Sequence, residues 1–149
     1  VDYPSTTEEF VIVERMTGML QPPQPVLTTE QLLGLQKEAD RVYVDPALIE
    51  YAVKVVNATR SPQTVGLKNL DHYITFGASP RASLALFRSA RAYAAINGRD
   101  YVLPDDVKAM APHVLPHRLI LSSQSRLRGR ETKELLADIL RRVPVPVES

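Results

Sequence analysis

The sequence predicts a mainly α-helical fold with room for at most one small two-stranded β ribbon. Three observations carry that prediction. Helix-start signals recur along the chain, at Ser5, Thr28, Asp45, Ser79 and Pro104. Between them, apolar residues repeat at three- and four-residue spacing rather than alternating. Finally, 44% of the residues are hydrophobic but only 6% are aromatic, with no Trp. Ala, Leu and Val must fill the core, which suits closely packed helices.

Ser5-Thr6-Thr7-Glu8 forms a capping-box pattern, with Ser5 as N-cap and Glu8 reaching back to its amide. This helix is expected to run to about Met16, with Phe10, Val13 and Thr17 on one face, and to stop at Gly18. Gln21 to Pro25 holds three prolines, which fix φ and remove donors, and reads as a stiff connector. Thr28-Thr29-Glu30-Gln31 is a second capping box, followed by Leu32, Leu35, Ala39 and Val42 at helical spacing. Asp45-Pro46 starts a third helix, with Pro where its missing N–H costs nothing. Leu48, Ala52, Val55, Val56 and Thr59 line its inner face, and Arg60 suits its C-terminal dipole.

Ser61 to Gly77 reads as a long polar loop with a short turn near Leu70 to Ile74. Ser79-Pro80 opens a fourth helix that ends at Asn97-Gly98. Leu86, Ala90, Tyr93 and Ala94 share one side of it. Leu84, Ala85, Phe87, Ala92, Ala95 and Ile96 cover much of the rest, so a central position is expected. Tyr101-Val102-Leu103 is the best extended segment. Pro104-Asp105-Asp106 then begins a helix with acids at its positive end, which Pro112 and Pro116 are expected to break. Arg118 to Leu121 is a second short strand, expected to pair with Tyr101-Val102. A last helix covers Glu131 to Val143, with Leu135, Leu136, Ile139 and Leu140 inward. The expected total is about six helices.

A chain of 149 residues can build a real core. Its formal net charge of +1 disfavours a dedicated nucleic-acid binder. The chain has no Cys. That excludes disulfides and thiolate metal sites and agrees with a reducing, cytoplasmic setting. No apolar run approaches the ~18 residues of a membrane span. Val1-Asp2-Tyr3-Pro4 shows no secretory signal, and the missing initiator Met agrees with processing or excision from a longer chain.

No G-x-x-x-x-G-K-[ST] loop and no G-x-G-x-x-G occurs, nor an apolar strand ending in paired acids. No Ser or Thr nucleophile has an evident His base. His113 and His117 are four apart, but Pro116 lies between them and no third ligand is at hand, so a surface or capping role is expected. His72 stands in the long loop without a partner. Asp105 and Asp106 are accounted for by dipole compensation and N-capping. No metal site and no self-sufficient catalytic set is therefore expected.

One residue breaks a local rule. Arg81 falls in the first turn of the Ser79 helix, where a cation opposes the dipole. Free amides at that turn attract anions, and an arginine fork there gains most from paired phosphate oxygens. A solvated first-turn Arg is the plain alternative. Arg88 and Arg91 follow on one flank of the helix. They either extend the basic surface or form a solvated stripe.

The run Tyr73-Ile74-Thr75-Phe76-Gly77-Ala78-Ser79-Pro80-Arg81-Ala82 resembles the sensor 2 motif of MoxR-type AAA+ ATPases, whose core is G-A-S-P-R-A. The resemblance continues through Gly98-Arg99-Asp100-Tyr101-Val102, Asp105-Asp106-Val107-Lys108, Ala111-Pro112, Val114-Leu115 and His117-Arg118-Leu119. Val44-Asp45 through Thr59-Arg60 is similar to the family's preceding lid helix. Asp2-Tyr3-Pro4-Ser5 and Val143-Pro144-Val145-Pro146 resemble its outer segments.

The resemblance implies an AAA+ lid-type helical bundle. Residues 1–43 would be helices and a Pro-rich connector leaving an αβ core, and residues 44–149 the lid with sensor 2. It implies that Arg81 reaches the γ-phosphate of ATP. Gly77 would permit the sharp approach to the helix, and Ser79 and Pro80 would fix the helix start that aims Arg81. The Mg-dependent hydrolysis would belong to the parent chain's core, so this chain alone is expected not to be an enzyme. Implied partners are that core, sister subunits of a hexameric ring, and a client or von Willebrand factor A domain protein. A free-standing helical protein- or DNA-binding module is the alternative, with Tyr101 to Met110 similar to the ends of histone-like folds.

Overall fold

A computed structural model describes residues 3–18 and 22–146 of the chain. The readings placed on Val1, Asp2 and Gln21 lie outside the described residues. The chain divides into two compact units, Val1–Leu33 and Gly34–Ser149.

In the first unit, α1 spans Thr6–Thr17. The Ser5 capping box is formed: the Glu8 carboxylate accepts from the Ser5 amide at 2.8 Å, and the Glu8 amide donates back to the Ser5 hydroxyl at 3.4 Å. The Ser5 hydroxyl donates to the same carboxylate at 2.7 Å, and that bond, with the one from the Ser5 amide, holds the Glu8 carboxyl below its usual range. Phe10, Val13 and Met16 are exposed. The second capping box is also formed, with Thr28 and Gln31 exchanging amide bonds at 2.8 and 3.1 Å. It starts α2, Thr29–Arg41, whose residues from Gly34 on belong to the second unit.

In the second unit, α3 (Pro46–Arg60) is capped by Asp45, whose carboxylate accepts the Ala47 amide at 2.7 Å. The five residues assigned to its inner face are all buried. Next come 3-10 turns at Pro62–Val65 and Lys68–Leu70, strand β1 (Ile74–Phe76), and α4 (Pro80–Ile96). The chain continues into α5 (Pro104–Val114), strand β2 (Ile120–Leu121), α6 (Ser123–Leu127) and α7 (Thr132–Arg142). Helix α4 packs on α3 and α5, and α7 closes the bundle against α3 and α5. Ala82, Leu86, Ala90 and Ala94 repeat every four residues and are buried. Three alanines on that stripe let the neighbouring helices come close. Leu115, Leu135, Leu136 and Ile139 fill the centre.

Several expectations are corrected. The ribbon is antiparallel β1 against β2, with Ile74 opposite Leu121 and Phe76 opposite Ile120. Tyr101 instead makes a parallel bridge to Tyr43, fixed by bonds from the Tyr43 amide to Asp100 and the Val102 amide to Tyr43. Burial of Val42 and Val102 explains that choice, since pairing here places both valines in the core. Gly98, at φ +70°, makes the turn back from α4. The Ser61 to Gly77 loop is therefore ordered by two turns and a strand. Pro112 does not break α5, which runs on to Val114. Pro112 lies in the last turn, where one lost amide bond is outweighed by burial of Ala111, Val114 and Leu115. Seven α-helices are present among the described residues, because α6 has no apolar period to reveal it. Leu84 and Ile96 of α4 are exposed, so that helix is buried on one side rather than most.

Candidate functional site

The start of α4 is built on the end of α3. Thr59 occupies a position on the buried stripe of α3, where a hydroxyl needs partners. It donates to the Val56 carbonyl at 2.6 Å and accepts the Ala78 amide at 2.9 Å. Arg60, next in sequence, donates to the Ala78 carbonyl at 2.9 Å and to the Asn57 side chain at 3.3 Å. Gly77 lies against the same place. A Cβ on it would stand 2.4 Å from the Thr59 carbonyl and 2.6 Å from the Arg60 amide. Its φ is not in the left-handed region, so lack of a side chain, rather than an unusual backbone, is what the position requires.

Ser79 takes the N-cap backbone conformation, and its carbonyl accepts the Ala82 amide at 2.8 Å. Its hydroxyl caps no amide. Pro80 is the first helical residue, and Arg81 follows it, exposed to solvent. The first turn of α4 contains no acid. Among the arginines, the ion pairs of the described residues engage Arg41, Arg91, Arg99, Arg130 and Arg141, and none engages Arg81. Gly77, Ser79, Pro80 and Arg81 thus follow one another through the lead-in to α4, with the exposed arginine at its outer end. An anion with paired oxygens fits such a group.

The other candidates are placed elsewhere. Arg88 is exposed. Arg91 is not part of a solvated stripe: its side chain is 17% exposed, lies 3.6 Å from Asp40, and sits 5.5 Å over the Phe87 ring. His113 and His117 are exposed, and His117 meets the neighbouring Arg118 guanidinium at 2.7 Å. His72 contributes its carbonyl to the Ser122 hydroxyl. Among the described residues no three metal-ligating side chains come together. No described helix is long and apolar enough to cross a membrane.

Asp106 does more than compensate a dipole. Buried at 3% exposure, it takes both arms of the Arg99 guanidinium at 2.6 and 2.5 Å and the Leu103 amide at 2.8 Å. Burial pushes its carboxyl up, but the bonds from Arg99 and Leu103 and the Arg99 charge prevail and hold it below its usual range. This fork locks the turn after α4 to the start of α5. Sequence reasoning had placed Thr59 on the apolar face and Arg60 at the helix end without joining them to Ala78. The signal available was a hydroxyl on an otherwise apolar stripe.

Comparison with known proteins agrees with this architecture. Residues 68–139 match the AAA lid domain family. Over 148 residues the chain is 41% identical to Chaperone MoxR1 of Mycobacterium tuberculosis, covering 98% of this chain and 39% of that protein. It is 35% identical to the protein YeaC of Bacillus subtilis over 148 residues, covering 98% and 43%. Over 110 residues it is 31% identical to Protein MoxR of Methylorubrum extorquens, covering 70% and 32%. A solved structure of a candidate ATPase from Cytophaga hutchinsonii superimposes with a TM-score of 0.83 at 34% identity, covering 99% of this chain and 45% of that one. The chain therefore spans about two fifths of the length of the first two of these relatives. The helical bundle, the lid match and alignment along almost the whole chain lead to one conclusion: this chain belongs to the MoxR-type AAA+ ATPases and carries their helical lid domain.

Proposed function

We propose that this lid senses nucleotide through Arg81 and couples ATP hydrolysis in its parent protein to movement of the lid against the core. The observation that carries the reading is an exposed arginine with no ion-pair partner among the described residues, at an acid-free helix start braced by α3. When ATP is bound, its terminal phosphate supplies the charge that Arg81 reads. Gly77 allows the close approach of the lead-in, while Ser79 and Pro80 set the helix start from which Arg81 extends. Mg²⁺ and the hydrolytic groups belong to the αβ core of the parent chain. Loss of the phosphate removes the partner of Arg81 and shifts the balance between lid positions. The MoxR relatives, one of them named a chaperone, support a ring of sister subunits that remodels client proteins. Von Willebrand factor A domain proteins are the partners that the sequence resemblance implies.

The test is ATP turnover by the full-length protein. Arg81→Ala should weaken the nucleotide response by about 1.5–3 kcal/mol, the usual worth of a charge-assisted contact. Stability should change by only about 0.5 kcal/mol, because the residue is exposed. Arg81→Lys should restore little, since an ammonium lacks the planar fork. Arg88→Ala, exposed two turns further along, serves as the control. Wild-type turnover and nucleotide-dependent assembly in Arg81→Ala would remove the sensing role.

A further inference from the structure

Ala78 is gripped on both sides of its backbone by two consecutive residues of α3. Its amide donates to the buried Thr59 hydroxyl, and its carbonyl accepts from the Arg60 guanidinium, each at 2.9 Å. Thr59 is itself held by its bond to Val56, and Val55, Val56 and Ala58 around it are fully buried. Arg60 is steadied by Asn57. The grip lies three residues before Arg81, and the intervening Ser79 side chain makes no capping bond. The direction in which α4 leaves α3 therefore depends on the clamp and on Pro80, not on a side-chain cap.

We propose that Thr59 and Arg60 are positioning residues for Arg81, clamping Ala78 so that the arginine is presented at one fixed place relative to α3. This rests on the reading of Arg81 as the residue that meets nucleotide. Thr59 is buried, so it acts only through the backbone of Ala78. Arg60 donates one guanidinium nitrogen to the Ala78 carbonyl and the other to Asn57. A contact that depends on orientation loses much of its value when its group is displaced by about 1 Å.

The experiment is a double-mutant cycle in the full-length protein, with kcat and KM for ATP measured for each variant. Thr59→Val keeps the side-chain shape but leaves the Ala78 amide without an acceptor. It should lower kcat/KM by about 10-fold, in line with an unpaired buried amide. Thr59→Ser should return most of that loss. Arg60→Gln should lower kcat/KM about 3-fold, and its exposed side chain keeps the cycle usable if Thr59→Val folds poorly. In the Arg81→Ala background both substitutions should change turnover by less than about 2-fold, because residues acting as one unit are not additive. Full effects in that background overturn the clamp. So does wild-type turnover by both Thr59→Val and Arg60→Gln alongside an impaired Arg81→Ala. Wild-type turnover by Arg81→Ala overturns the sensing role, and the clamp with it.

Discussion

Replacing Asp106 with Ala tests whether the Arg99 fork or simple dipole compensation holds the start of α5. The carboxylate accepts two guanidinium bonds and one amide bond, and its side chain is 4% exposed. Its removal leaves the guanidinium without a counter-charge and the Leu103 amide without an acceptor. Breaking a buried pair from one side costs about 3–5 kcal/mol. Arg99 keeps 23% side-chain exposure and can turn toward water, which places Asp106→Ala near the lower end, about 3 kcal/mol. For a domain of this size that is a fall in Tm of about 12 °C. Asp105→Ala is the matched control. It removes the same charge from the same turn, but Asp105 is 85% exposed and, among the described residues, pairs only with Lys108 at the surface. Its loss should cost about 0.5 kcal/mol or less. The assay is thermal unfolding of the chain at neutral pH, followed by circular dichroism. Equal falls in Tm for the two variants would refute the fork and leave the helix dipole as the sufficient cause.

Two further outcomes follow from the same geometry, beside those for Arg81 and for the Thr59–Arg60 clamp. The Asp106 carboxyl is held below its usual range in the folded chain. Its stabilising contribution should be complete above the unfolded value of about 3.9 and disappear as pH falls through the lower folded value. Denaturant unfolding from about pH 6 down to about pH 2 should therefore show the gap between wild type and Asp106→Ala closing on the acid side; a constant gap would contradict the assignment. Gly77→Ala should destabilise by about 1–3 kcal/mol, because its Cβ meets backbone that cannot yield cheaply. Gly34→Ala, within α2 and with nothing inside 4 Å, should stabilise by about 0.5–1 kcal/mol. Opposite shifts in the urea midpoint check the pair, and equal shifts would show that the close approach at Gly77 is relieved at little cost.

The candidate site was half legible. Arg81 stood out because it violates a rule that acts within one helical turn, and the G-A-S-P-R-A run drew attention to its neighbours. The grip on Ala78 was not legible. Thr59 and Ala78 are 19 residues apart, and no local preference of either reports the other. The pairing of Asp106 with Arg99 was missed for a different reason. Capping and dipole effects already explained an acid at that place, so its near-complete burial had no separate signature. The contact of Arg91 with Asp40 was not legible either, because a position on α4 says nothing of a residue at the end of α2.

What the sequence determined by itself is where six of the seven described helices begin and which faces of α3 and α7 turn inward. Ser5 with Glu8, Thr28 with Gln31 and Asp45 with Ala47 each complete a cap within three residues, so their chemistry is present in the local string. The stripes of α3 and α7 follow from the 3.6-residue period alone. Only the tertiary structure decided which short segments pair. Tyr101-Val102 and Ile74–Phe76 are equally able to be extended, and a two- or three-residue strand has too few side chains to specify a partner. The choice fell to burial: Val102 joins Val42 in the core beside Tyr43, and β1 is left to meet β2. The same holds at Pro112, where packing of the residues around it carries α5 past a ring that local rules would make its end.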